Sequence, residues 1–269
     1  MKNFFLFLTL FTYIISFIGF CFALRTYKEK IYKLVHKVLF LGIIFHIFLV
    51  FFSFSVKFFS FSFFFYFISI ELILIYFYFY LRYPQIYFIG FITLSIVIIF
   101  LIGSFTPIGK KTLSFDKNLL NFWLFLHSFS SLVSHGFFIF GLVISLFYLL
   151  QEKELKEKKL KFFFKRLPSL SLLDFMMERC LELAFVFLTF GLILGIIWNQ
   201  NIYKTYFQGS PKEIASILLW VLYAVLIHQR RLIGWRGKKI VYAFLIGFII
   251  WFISIFIINF FTKGFHTYG

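Results

Sequence analysis

The side chains in this sequence best suited to chemistry are its six histidines. Four of them pair by depth along apolar runs. His127 lies one turn into the fifth run and His266 follows the eighth, so both fall at one face of a membrane. His46 lies in the first half of the second run and His228 near the end of the seventh, toward the opposite face. Two neutral imidazoles from different helices can take both axial positions of a haem iron. A histidine in an apolar segment also serves as a hydrogen-bonded packing residue, and on the residues alone both readings stand open. His135 is read as a packing residue and His36 as part of a lysine-rich loop. Glu71 sits in the middle of the third run. It is read either as bonded to a neighbouring helix or as lining a polar path or cofactor edge. No series of Asp or Glu accompanies it, so an ion relay has no support. Cys21 and Cys180 form no C-x-x-C pair, which removes thiol redox chemistry and a zinc site. No catalytic base or nucleophile stands out.

A second feature is the loop Trp198-Asn-Gln-Asn-Ile-Tyr203-Lys-Thr-Tyr206-Phe207-Gln-Gly-Ser210-Pro211-Lys-Glu213. Ser210-Pro211-Lys212-Glu213 reads as a capping box, with Ser210 as N-cap, Pro211 at the first helical position and Glu213 reaching back. Trp198, Tyr203, Tyr206 and Phe207 suit either an interfacial aromatic belt or a flat platform for a planar ligand.

The elements that must position these residues are membrane helices. The chain has 269 residues, of which 62% are hydrophobic and 14% charged, and 49 are Phe. Its mean hydropathy is +0.97. A soluble domain is nearer ~45–50% apolar, so a soluble enzyme, a secreted domain and a disordered chain are excluded. Apolar runs occupy roughly 4–23, 38–57, 59–81, 84–104, 122–149, 180–200, 212–234 and 240–261. Each can cross ~30 Å of hydrocarbon, which predicts an all-α, polytopic helical membrane protein with about eight transmembrane helices. The first run has only Lys2 before it and no A-x-A site, so it is read as a span. The net charge of +17 reflects topology rather than nucleic acid. Sorted by alternating side, 19 of the 27 Lys and Arg fall on one side and 8 on the other. The positive-inside rule puts the larger set in the cytoplasm and both termini outside. The polar segment 151–179 is read as a charged cytoplasmic extension of the fifth helix.

Residues from about 120 onward resemble the cytochrome c assembly superfamily of haem-handling membrane proteins, with its CcsA and HemX-like branches. Trp123-Leu-Phe-Leu-His127 resembles the family's W-x-x-x-H. Trp198, Tyr206, Pro211, Lys212 and Glu213 fit its tryptophan-rich external loop. Leu222-Tyr-Ala-Val-Leu-Ile-His228, Gly234-Trp235-Arg236-Gly237, Asn259 and Phe265-His266-Thr267-Tyr268 match motifs that follow. Arg166-Leu-Pro-Ser-Leu with Leu173-Asp174 is similar to a stretch of the HemX-like branch. The departures are Tyr203, Phe207 and Gly209 in place of tryptophans and Ser210 in place of aspartate. They shift weight toward that branch.

The resemblance implies a single membrane domain over 1–269, in which 1–104 forms four N-terminal spans. Residues 105–269 form a haem-handling half with the external loop 198–213. It implies haem b as cofactor, with His127 and His266 on an outer iron and His46 and His228 on an inner one. Trp198, Tyr203, Tyr206 and Phe207 would contact the porphyrin. The implied function is presentation of haem at the outer face of the cell inner (cytoplasmic) membrane for attachment to apocytochrome c. A CcsB-like membrane partner would assist, and the chain would be at most one subunit of a haem-attachment complex. The alternative is a HemX-like regulator of haem biosynthesis.

Overall fold

Lipid offers no hydrogen-bond partner to a peptide group, so an apolar run satisfies its backbone only by becoming a helix. A computed structural model describes residues 1–26, 28–57, 61–105, 122–158 and 166–253. Every long element in them is helical: α1 (Lys2–Thr26), α2 (Glu29–Lys57), α3 (Phe61–Arg82), α4 (Tyr87–Gly103), α5 (Phe122–Lys156), α6 (Leu170–Tyr203), α7 (Pro211–His228) and α8 (Lys238–Phe252). Among the described residues, seven helices, α1 to α7, are long and apolar enough to cross a membrane. The helix α8 is described over 15 residues, and the rest of the eighth run lies outside the described residues. The chain is an all-α, multi-pass membrane protein.

Three helices extend beyond the apolar runs. α2 begins at Glu29, which pairs with Lys33 one turn later at 2.7 Å. Lys30, Lys33 and Lys37 are exposed while Val35, His36 and Leu39 are buried. His36 is therefore a core residue of a helix, not part of a loop. The lysines around it concealed an amphipathic turn. α5 runs 35 residues, about 52 Å at 1.5 Å per residue, and its charged end projects past the hydrocarbon. α6 starts at Leu170, after Pro168 and the N-cap Ser169, whose hydroxyl accepts from the Leu172 N–H. The segment 151–179 is thus helical at both ends rather than one stalk, and 159–165 lie outside the described residues.

The chain divides into two units, each described by itself. The first comprises residues 1–112 with 165–168, the second 113–164 with 169–269. In the first, α1 packs on α2, α2 on α3, α3 on α4, and α4 back on α1. In the second, α5 packs on α6, α6 on α7, α7 on α8, and α8 back on α5. Both are four-helix rings. Hydroxyls inside them bond to their own helices: Thr9 to the Phe5 carbonyl, Thr93 to Ile89 and Ser145 to Gly141. That satisfies the hydroxyl where water is absent. Along α1, Phe4, Phe7, Phe11, Ile14 and Ile18 form an exposed stripe suited to lipid. Buried Arg166 donates to the Leu24 carbonyl at 3.1 Å, satisfying the last turn of α1.

Candidate functional site

The second unit is organised along the seam between α5 and α6. Small residues of α6 let α5 approach closely. A Cβ added to Gly191 would meet Ser131 Oγ at 2.7 Å, and one added to Gly195 would meet the His127 ring at 2.9 Å. Ser134 donates across the seam to the Ala184 carbonyl at 2.8 Å. His127 is partly buried, and its ring lies on the bare backbone of Gly195. His127 Nδ1 lies 2.7 Å from the Gly191 carbonyl oxygen. A carbonyl only accepts, so Nδ1 carries the proton and Nε2 carries the lone pair. An imidazole oriented in this way through its other nitrogen is in the form a metal ligand needs. The sequence reading named His127 and missed Gly191 and Gly195. Their signal was present as Gly191-Leu-Ile-Leu-Gly195, a small-residue repeat at one-turn spacing.

One turn beyond Gly195 lies Trp198, still within α6, which runs on to Tyr203, so of the expected external loop 198–213 only the stretch between Tyr203 and Pro211 is irregular. The capping box forms: Ser210 Oγ accepts from the Glu213 N–H at 3.3 Å, and Glu213 Oε2 accepts from the Ser210 N–H at 3.1 Å. Glu213 does more than the motif foretold. Its Oε2 also accepts from the Gln208 N–H at 3.1 Å, and its Oε1 from Asn199 Nδ2 at 2.6 Å. One carboxylate thus ties the end of α6, the loop and the start of α7. Lys204 and Gly209 turn the chain at φ +57° and +71°. The four aromatics separate. Trp198 is buried, and the Tyr203 ring stands edge-on to it at 5.7 Å. Tyr206 and Phe207 are exposed, at 67% and 53%.

The remaining histidines differ in their surroundings. His228, at the last residue of α7, is exposed. A five-residue π turn, Gln229–Ile233, follows it. Arg230 in that turn is buried and bonds Asp174 twice, at 2.7 and 3.2 Å, and Glu178 at 3.0 Å. Asp174 Oδ1 also accepts from the Gly237 N–H at 3.0 Å. This cluster locks the Gly234–Gly237 turn to α6. His135 stands edge-on to Trp251 of α8 at 5.8 Å. Its Nδ1 is buried without a hydrogen-bond partner among the described residues. His46 belongs to the first unit and is fully buried. Its Nε2 donates to the Tyr66 carbonyl at 3.0 Å, and its Nδ1 accepts from the Tyr13 hydroxyl at 3.1 Å. Both ring nitrogens are committed to the protein, which is the packing arrangement. His266, Asn259, Phe265, Thr267 and Tyr268 lie outside the described residues. Among the described residues no cluster of three His, Cys, Asp or Glu side chains could hold a metal ion.

Seven helices long and apolar enough to cross a membrane among the described residues, with an oriented imidazole on a helix seam and an adjoining aromatic loop braced by a carboxylate, define a class: a multi-pass helical membrane protein. Residues 58–266 match the family model described as "Cytochrome C assembly protein", and the chain belongs to that family. It is 30% identical over 149 residues to the "Cytochrome c biogenesis protein CcsA" of Chlamydomonas reinhardtii, covering 55% of this chain and 40% of that protein. It is 28% identical over 162 residues to the protein of that name from Guillardia theta, covering 55% and 54%. It is 27% identical over 213 residues to the one from Mesostigma viride, covering 70% and 69%. The chain spans about half the length of the first two of these relatives.

Proposed function

We propose that this chain acts in cytochrome c biogenesis as a CcsA-like protein that binds haem b and presents it at the outer face of the cytoplasmic membrane. The observation that carries this is His127, with Nδ1–H on the Gly191 carbonyl and its ring on Gly195, one turn from the 198–213 loop. Haem, when bound, supplies the iron that an imidazole ligates and the porphyrin to which an apocytochrome is joined. His127 holds its lone pair on Nε2 because a backbone carbonyl fixes the tautomer. Exposed Tyr206 and Phe207 offer faces for stacking, and Glu213 holds the loop that carries them. Trp198 supports the platform from beneath through Tyr203. His266 is the second outer ligand in this reading, and the charge asymmetry sets the sidedness. His228 remains a ligand candidate at the opposite end of the unit. His46 is left out of the ligand set because neither ring nitrogen is available. A CcsB-like membrane protein and apocytochrome c are the partners.

The alternative, a HemX-like regulator of haem biosynthesis, draws on one feature. Gly209 adopts φ +71°, a conformation suited to glycine, so the turn is built around a departure from the family loop. The test is the visible spectrum of the full chain, produced with ample haem and purified in detergent, oxidised and reduced. A b-type spectrum is expected. Folded protein that stays colourless contradicts the proposal.

A further inference from the structure

The turn that joins α7 to α8 lies at the foot of two exposed, largely apolar stripes. On α7, Leu218, Val221 and Val225 are exposed, and Leu232 and Ile233 continue that surface past the helix at 71% and 64% exposure. On α8, Tyr242, Ile246 and Ile249 are exposed at spacings of four and three residues, which puts them on one face. Exposed Lys239 stands at the base of that face. α7 has 18 residues, about 27 Å at 1.5 Å per residue, close to the ~30 Å of hydrocarbon. The turn after it therefore lies at headgroup depth.

The turn is firmly held. Gly234 and Gly237 bend the chain at φ +74° and +61°. Asp174 Oδ1 accepts from the Gly237 N–H at 3.0 Å, and the Trp235 N–H donates to the Gln229 carbonyl at 3.3 Å. Its cations divide into two groups. Arg230 pairs with Asp174 and Glu178, Arg231 with Glu182, and Lys238 with Glu152 at 3.5 Å. Arg236 and Lys239 are exposed and form no salt bridge among the described residues. Arg236 acts on Asp174 through space, but that carboxylate is already bonded to Arg230 and the Gly237 N–H. The Lys239 ammonium lies over the half-buried Trp235 ring, 5.2 Å from its centroid.

We propose that the α7–α8 turn binds an anionic phospholipid, with Arg236 and Lys239 on its phosphate and its acyl chains along the exposed stripes of α7 and α8. A guanidinium matches two oxygens of a phosphodiester, and a lysine stem follows apolar surface while its ammonium reaches the headgroup. Tryptophan and tyrosine suit the same depth, apolar on one side and polar on the other. Two cations without carboxylate partners favour a headgroup of net negative charge over a zwitterionic one, whose own ammonium they repel. The site is independent of haem.

The experiment titrates the full chain in detergent with dioleoylphosphatidylglycerol and, separately, with dioleoylphosphatidylcholine, and counts bound lipid by native mass spectrometry. Tighter binding of the phosphatidylglycerol is expected. Arg236→Gln and Lys239→Gln should each weaken it by about 5-fold, while Lys239→Arg should retain it, which separates lost charge from lost folding. Lys30→Gln and Lys37→Gln remove exposed cations from α2 and should leave binding unchanged. Glycerophosphoglycerol, the headgroup without its chains, should not compete. Equal affinity for the two lipids, an equal loss in the α2 variants, or displacement by the chainless headgroup would each overturn the proposal.

Discussion

The two four-helix rings use buried histidines in opposite ways. In the α1–α4 ring, histidines hold helices together. His46 joins Tyr13 of α1 to the Tyr66 backbone of α3, and His36 joins its own helix to Tyr76. In the α5–α8 ring, a helix holds a histidine. The carbonyl of Gly191 fixes one nitrogen of His127, and Gly195 removes the side chain that would crowd its ring. The partners of His46 are a tyrosine hydroxyl and a backbone carbonyl on two other helices, whereas the Gly191 carbonyl sets the tautomer of His127.

The largest effect expected is on stability, where the second ring departs most from the first. It has a buried cluster of one arginine with two carboxylates, whereas in the first the buried Arg166 donates to the Leu24 backbone carbonyl. Asp174→Ala leaves Arg230 buried with one carboxylate fewer and should lower stability by about 3–5 kcal/mol. Thermal unfolding in detergent measures this. A loss no larger than that of a surface substitution would remove the cluster from the account.

Next comes the support of His127. Gly195→Val places a side chain against the ring, from a Cβ position 2.9 Å away. It should weaken haem retention by roughly 10–100-fold, the scale of lost outer-shell support at a metal ligand. Haem titration of the purified variant provides the check. Unchanged retention would mean that the ring does not need this seat.

Gly209→Trp restores a family residue but forces a bulky side chain into the left-handed region. Strain of about 1–2 kcal/mol is expected, seen as a lower melting temperature. A stabilised variant with stronger haem retention would show that the loop relaxes around tryptophan.

The smallest change sharpens the comparison most cleanly. Tyr13→Phe removes one of the two hydrogen bonds of His46 and should lower stability by about 1 kcal/mol without altering haem content. A change in the spectrum would return His46 to the ligand set.

Much of this was legible in the sequence, for identifiable reasons. Hydropathy located the helices because lipid leaves an apolar run one way to satisfy its backbone. The order Ser210-Pro211-Lys212-Glu213 announced the capping box because that motif is local. What was not legible depends on which neighbour covers which face. His36 looked like a loop residue because lysines surround it in sequence, yet they point away from it on the helix. Glu213 holds Asn199, 14 residues upstream, which no local motif encodes. Trp198 was grouped with three other aromatics, but the end of α6 turns it inward while Tyr206 and Phe207 face out.

The central claim is that His127 is a haem ligand oriented by the Gly191 carbonyl. The most direct measurement is the visible spectrum of the purified, haem-supplied His127→Ala variant beside wild type, with and without added imidazole. The account predicts a six-coordinate b-type spectrum for wild type and its loss in the variant. Imidazole should restore it in part by supplying the missing nitrogen. A variant spectrum identical to that of wild type, with imidazole making no difference, would contradict it.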